Sequence, residues 1–146
     1  MSADIKQLIL EVLEKGYLMS LATVDSGGVW VCDVIYIFDE NLNIYWMSKD
    51  FRRHSKAIEI NQNVAGTITV SANGEDNLGI QFSGVAARIE EARYDLVEKF
   101  YTKKNKPTSL ETEDFLKGHT WYQLKPQKIE LINEKLFEFE KQKLEL

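Results

Sequence analysis

The sequence predicts a mainly β domain, an antiparallel barrel with peripheral helices. Three observations carry that expectation. Segments 17–24, 29–38, 42–47, 64–70 and 78–89 are dominated by apolar, β-branched and aromatic residues, the composition that suits a pleated sheet surface. Between the first two, Asp25-Ser26-Gly27-Gly28 supplies residues that tolerate positive φ, as a tight hairpin requires. Helical spacing recurs in short segments around these strands, and the order helix, hairpin, strands, helix, strand suits a barrel with helices at its ends.

Each element follows from local pattern. In 4–15, Ile5, Leu8, Ile9, Val12 and Leu13 recur at helical spacing, with Ser2 or Asp4 to cap the start and Gly16 just past the end. The run 29–38 is almost continuously apolar, so both its faces need covering by protein or ligand. Asp33 interrupts it. Because a carboxylate buried without partners costs several kcal/mol, Asp33 accepts hydrogen bonds, lies at a bulge or faces a site. Asp39-Glu40-Asn41 turns the chain into strand 42–47, and 51–60 is a short helix burying Phe51, Ala57 and Ile58. In strand 78–89, Gly79 and Gly84 point to bulges or close backbone approach. Helix 92–103 carries Leu96, Val97, Phe100 and Tyr101 on one side, and 109–117 begins like a capped turn. A final strand over 120–132 is broken at Pro126, and the tail 134–146 packs on a neighbour or frays.

The 146 residues suit one domain, with its core over about 17–133. Hydrophobic residues at 44% and charged ones at 28% are ordinary for a globular chain. No apolar run reaches the ~18 residues of a membrane span, and the first residues lack a signal peptide's pattern, so a cytoplasmic location is expected. The single Cys32 excludes an internal disulfide, and with only His54 and His119 no usual zinc pattern exists. A net charge of −5 argues against nucleic acid, which needs a broad basic face.

Against that acidity, the segment Ser48-Lys49-Asp50-Phe51-Arg52-Arg53-His54-Ser55-Lys56 stands out. Four cationic side chains oppose the one carboxylate of Asp50, a local net of +3. Ser48 or Asp50 caps a helix beginning near Phe51, and the free N–H groups of a helix start favour an anion. This makes a candidate phosphate seat, with a solvated charged turn as the plainer alternative. Cys32 reads better as a small buried hydrophobe than as a nucleophile, since no histidine lies near it in sequence. Rossmann, Walker and nucleophile-elbow motifs are absent, so any redox chemistry belongs to a cofactor.

Taken in order, several motifs resemble the pyridoxamine 5'-phosphate oxidase-like FMN-binding split barrels, particularly their small uncharacterised branch. The resemblance covers about residues 18–131. It rests on Trp30-Val31-Cys32-Asp33-Val34-Ile35-Tyr36, Ile44-Tyr45-Trp46-Met47-Ser48, Arg53-His54 with Lys56, Ile60-Asn61-Gln62-Asn63-Val64-Ala65, Gln81-Phe82-Ser83-Gly84, Ala86-Ala87-Arg88-Ile89, and Trp121-Tyr122-x-Leu124-x-Pro126-x-x-Ile129.

The resemblance implies a six-stranded antiparallel split barrel and a homodimer with FMN in two clefts between the subunits. Met47 and Ser48 would stand beside the flavin and its phosphate, Arg53 and Lys56 on the phosphate, and His54 where a lysine often follows the arginine. Cys32, Asp33, Val34 and Ile35 would line the isoalloxazine ring through backbone groups. Gln81 would contact the ring, within about two residues of register, and Trp121 would reach the partner's cofactor. Heme or a deazaflavin would use a similar cleft.

Two departures narrow the activity. Cys32 and Ile37 stand where the family's named oxidases carry an arginine and a lysine, and nothing after Trp121 supplies their substrate-binding arginine and histidine. Oxidation of pyridoxamine phosphate is therefore not expected. The leading expectation is a flavin-dependent oxidoreductase of unknown substrate, and its alternative is a noncatalytic flavin or heme-binding, stress-related module.

Overall fold

The computed structural model describes residues 4–106 and 116–146. Helix α1 (Ile5–Lys15) begins at Asp4, whose carboxylate accepts the Gln7 N–H at 3.1 Å, and it buries Ile9, Val12 and Leu13. Strands β1 (Leu18–Asp25) and β2 (Gly28–Ile35) form the expected hairpin. Gly28 there has a φ of 108°, a conformation that a side chain disfavours. The short β3 (Ile37–Phe38), β4 (Ile44–Ser48), α2 (Arg53–Ile60), β5 (Asn63–Thr69) and β6 (Leu78–Ile89) follow. Then come α3 (Tyr94–Lys103), β7 (Thr120–Asn133), α4 (Glu134–Phe137) and β8 (Gln142–Glu145).

All strands of the described residues belong to one antiparallel sheet ordered β2-β1-β5-β6-β7-β4-β3, with β8 added to β7. The two end strands, β2 and β3, are consecutive in sequence and separated only by Tyr36. A sheet whose two ends are halves of one run must curl back on itself, which makes a half-open barrel. The continuous apolar run 29–38 is thus two strands, not one. Six long strands match the expected number; the split at Tyr36 and the ordered tail supply the other two.

The tail departs from expectation by pairing, with Leu144 opposite Ile129 and packed against the core. Strand β7 also departs, running unbroken past Pro126. A register shift beside Gly84 leaves Gln127 without a partner on β6, a bulge of the kind that accommodates a proline within a strand, while the Gln127 carbonyl accepts the Leu146 N–H at 2.9 Å. A Cβ on Gly84 would meet the Lys125 carbonyl oxygen at 2.2 Å, the close approach that this glycine implies. The capped turn expected at 109–117 lies mostly outside the described residues.

Two apolar clusters pack on the sheet, while the other face of β5 and of the β1–β2 hairpin stays exposed. One core joins Ile9, Val12 and Leu13 of α1 to Met19, Leu21, Trp46, Ile58, Phe82, Tyr122 and Leu131, with the Trp46 and Tyr122 rings stacked at 5.8 Å. A second, smaller cluster places Leu96, Val97 and Phe100 of α3 over Ile37, Tyr45 and Trp121. Among the described residues no helix is long and apolar enough to cross a membrane.

Candidate functional site

The cationic segment leaves the end of β4 and begins α2 later than expected. Arg52, not Ser48 or Asp50, occupies the N-cap position, and its side chain caps nothing. Both expected caps are committed elsewhere. Ser48 Oγ lies 2.8 Å from His54 Nε2, and the Asp50 carboxylate lies 3.7 Å from the Arg88 guanidinium. The start of α2 therefore has no side-chain cap; Lys49 and Arg52 lie 5.9 and 5.3 Å from the Phe51 ring centroid, and Phe51 lines one groove with Arg53 and Lys56.

Arg53 is the anchor. Its Nε and one terminal nitrogen donate to the two Asp25 oxygens at 2.9 and 3.1 Å, and its guanidinium lies 4.5 Å from the Trp30 ring centroid. Hydrogen bonding from Arg53 holds the Asp25 carboxyl below its usual range, and the same bond raises Arg53. The hairpin tip is thereby tied to α2, and the arginine keeps a fixed orientation while staying partly exposed. A groove of about 320 Å³ opens beside it, lined by Asp25, Phe51, Arg53, Lys56, Ala57 and Ile60. Phe51 and Ile60 are its largely exposed apolar walls. The burial expected for Phe51 is thus not found.

His54 turns inward rather than joining the cations. It is buried, and burial, aided by the Arg52 charge, pushes its pKa below the usual value of 6.5. Neutral at pH 7, it pins the start of α2 to the end of β4 through Ser48.

On β2 the side chains alternate. Cys32 and Val34 point toward the main core, while Asp33 faces outward, where Ser20 Oγ donates to its carboxylate at 2.7 Å. That settles the choice for Asp33: it accepts a hydrogen bond on an open face. Ile35 packs on the second cluster. Burial, with the Asp33 charge, pushes the Cys32 thiol up, so it is no thiolate nucleophile. Gln81 falls in the same cross-strand row as Asp33, through Ser20 and Thr67. Three strand spacings, about 14 Å, separate the two. The Gln81 amide oxygen accepts from Lys141 of the tail at 3.0 Å.

Met47 and Trp121 are register partners. Trp121 is fully buried beneath α3, edge-on to Phe100 at 6.1 Å, so α3 of its own chain covers the ring that was expected to reach outward. The structure thus gathers Ser48, Arg53, His54 and Lys56 at one end of α2, and distributes Cys32, Asp33, Val34, Ile35, Met47, Gln81 and Trp121 over the sheet. Asp25 and Trp30, which hold Arg53, were not anticipated: Asp25 read as a turn residue and Trp30 as part of an apolar run.

No family model matches the chain. Among solved structures, general stress protein 26 from Bacillus anthracis superposes with a TM-score of 0.73 at 20% identity, covering 99% of this chain and 100% of that one. A Listeria innocua protein with the provisional name pyridoxamine 5'-phosphate oxidase gives 0.70 at 15% identity, covering 89% and 99%. The fold is the pyridoxamine 5'-phosphate oxidase-like split barrel. A heme binding protein from Mycobacterium smegmatis shares this split barrel, with a TM-score of 0.73 at 13% identity over 99% of this chain and 59% of that one. At such identities the likeness is one of fold.

By sequence, the chain is 28% identical over 95 residues to a UPF0306 protein of Pasteurella multocida, the match covering 64% of each chain. A second UPF0306 protein, from Photorhabdus laumondii, is 27% identical over 100 residues, 67% of this chain and 70% of that one. The chain thus spans about two thirds of the length of these relatives.

Proposed function

We propose that this split barrel is an FMN-binding homodimer that carries out redox chemistry on a small-molecule substrate. The observation that carries the reading is the uncapped start of α2, set among Arg52, Arg53 and Lys56 and bordered by the exposed Phe51, Ile60 and Trp30. Oriented guanidinium and ammonium donors with open helix N–H groups suit a phosphate, and apolar walls beside them suit a flat ring. The residues present fit the group.

When bound, FMN supplies hydride or electron transfer. Arg53, held by Asp25 and Trp30, orients the phosphate, and Lys56 adds a second charge. Strand β2 ends the sheet, so the backbone groups of Cys32, Asp33, Val34 and Ile35 have an outer edge free to bond a ring. No side chain here stands out as acid or base. The outward apolar rows of the hairpin, Val24 with Val29 and Ala22 with Val31, suit coverage by a second copy. The same reading puts the protein in the cytoplasm, where a thiol such as that of Cys32 stays reduced.

A flavin is favoured over heme, despite the heme-binding neighbour, by the state of the candidate axial ligands. His54 Nε2 is taken by Ser48, the Cys32 thiol is held protonated, and His119, whose Nδ1 lies 2.7 Å from the Leu116 carbonyl and so leaves Nε2 open, is not among the residues lining the groove beside Arg53. The test is an absorption spectrum of the purified protein with an FMN titration followed by tryptophan fluorescence, repeated in Arg53→Glu. Saturable binding lost in the variant is expected. A Soret band would replace flavin with heme, a deazaflavin spectrum would change the cofactor, and equal affinity in Arg53→Glu would remove the phosphate assignment.

A further inference from the structure

A second, larger groove of about 740 Å³ lies between the end of α1, the turn after β3, and α3. It shares no lining residue with the groove beside Arg53. Its floor is Leu13, Ile37 and Phe38, and Lys103 stands within it. The Lys103 ammonium donates to the Tyr36 carbonyl, lies 3.4 Å from the Tyr36 ring centroid and 5.9 Å from that of Tyr17. Among the described residues no carboxylate is within ion-pair distance of it. One turn earlier on α3, Lys99 donates to the Phe38 carbonyl at 3.3 Å from an exposed position, so reaching a strand carbonyl does not by itself require enclosure.

We propose that Lys103 is a reactive amine that captures small uncharged aldehydes in this groove as an imine. The Nζ lone pair attacks the carbonyl carbon, a C–N bond forms, and the carbonyl oxygen leaves as water with the two amine hydrogens. Protonation of the product imine restores a donor to the Tyr36 carbonyl, which keeps the adduct in place. The facing charged groups are Glu14 of α1, Asp39 and Glu40 of the turn, and Asp95, Glu98 and Lys99 of α3. Five carboxylates against one other ammonium disfavour anionic carbonyl compounds, while the apolar floor accepts a short alkyl chain. Burial pushes Lys103 down to about 8, with Glu14 opposing, so a useful fraction of the amine is free near neutral pH.

The test treats the intact protein with propanal and cyanoborohydride between pH 6.5 and 9, and reads alkylation of each lysine by peptide mass spectrometry. Lys103 is expected to react at least ~10-fold faster than the exposed Lys6 and Lys125. Its rate should level off near pH 8. Glyoxylate, an anionic aldehyde, should modify Lys103 several-fold more slowly than propanal. Equal rates for Lys103 and the exposed lysines would overturn the proposal, and equal rates for the two aldehydes would overturn its assignment to uncharged compounds. The comparison is internal to one protein, so no variant has to fold.

Discussion

Arg53 and Asp25, 28 residues apart in sequence, are joined by two hydrogen bonds at 2.9 and 3.1 Å. The pair orients the guanidinium, but it also places a carboxylate in the groove proposed for a phosphate. Asp25→Asn keeps an acceptor for Arg53 and removes the opposing charge. The variant is therefore expected to raise the preference for FMN over riboflavin about fivefold, the size of a modest loss of repulsion. Fluorescence titrations with both ligands measure it; an unchanged ratio would separate Asp25 from the anion.

His54 makes stability depend on pH. Its folded value lies below the usual 6.5 because burial disfavours the cation. As pH falls through 6.5 the unfolded chain takes up a proton that the folded chain refuses, so stability is full above 6.5 and declines until the folded value is passed. His54→Gln removes this limb while leaving a partner for Ser48. Urea midpoints measured from pH 7 to 5 should fall in the parent and stay close to level in the variant. Asp25, Asp39 and Asp95, all held below the usual carboxylate range, add a separate limb at lower pH.

Gly84→Ala should be costly because the obstruction is backbone. Its Cβ would lie 2.2 Å from the Lys125 carbonyl oxygen and 2.8 Å from the Pro126 Cα. Relief requires the bulge to shift, and a loss of about 2–3 kcal/mol is expected. Denaturant unfolding measures it, and a loss below ~0.5 kcal/mol would mean that the bulge relaxes freely.

The outward hairpin rows make a prediction about assembly. Val29 and Val31 are 73% and 60% exposed on a sheet edge, an apolar surface that a second copy would remove from water. Val31→Glu should shift the sedimenting species from a dimer to the 16.9 kDa monomer and weaken FMN binding with it. A parent that sediments as a monomer at micromolar concentration with bound FMN would contradict the shared cleft.

Much of this fold is written in short-range pattern. The bounds of β6, the hairpin at Gly27-Gly28 and the close approach at Gly84 follow from residue types within a few positions of each other. The site was legible only in part, because partner choice is a matter of register. Nothing near Ser48 announces that its hydroxyl goes to His54 instead of capping α2. Nothing near Trp121 announces that α3 will cover it. Asp25 and Trp30 meet Arg53 only after the sheet has curled, and the pairing of the tail with β7 depends on an edge left open by β4. Such contacts arise from tertiary geometry that no local propensity encodes.

The single residue between β2 and β3 also bears on folding kinetics. Residues 18–48 form two ladders, β1 with β2 and β3 with β4, by short-range contacts, and β5 with β6 forms a third. Joining them through β1 with β5 and β4 with β7 requires loops to close over much longer separations, the slow step in sheet proteins. Tyr36 is thus the one-residue link between two ladders that are expected to form early. Rate measurements on Val24→Ala, in the first ladder, and Leu124→Ala, where β7 meets β4, should give a higher φ-value for the former, and the reverse order would place the long-range join first.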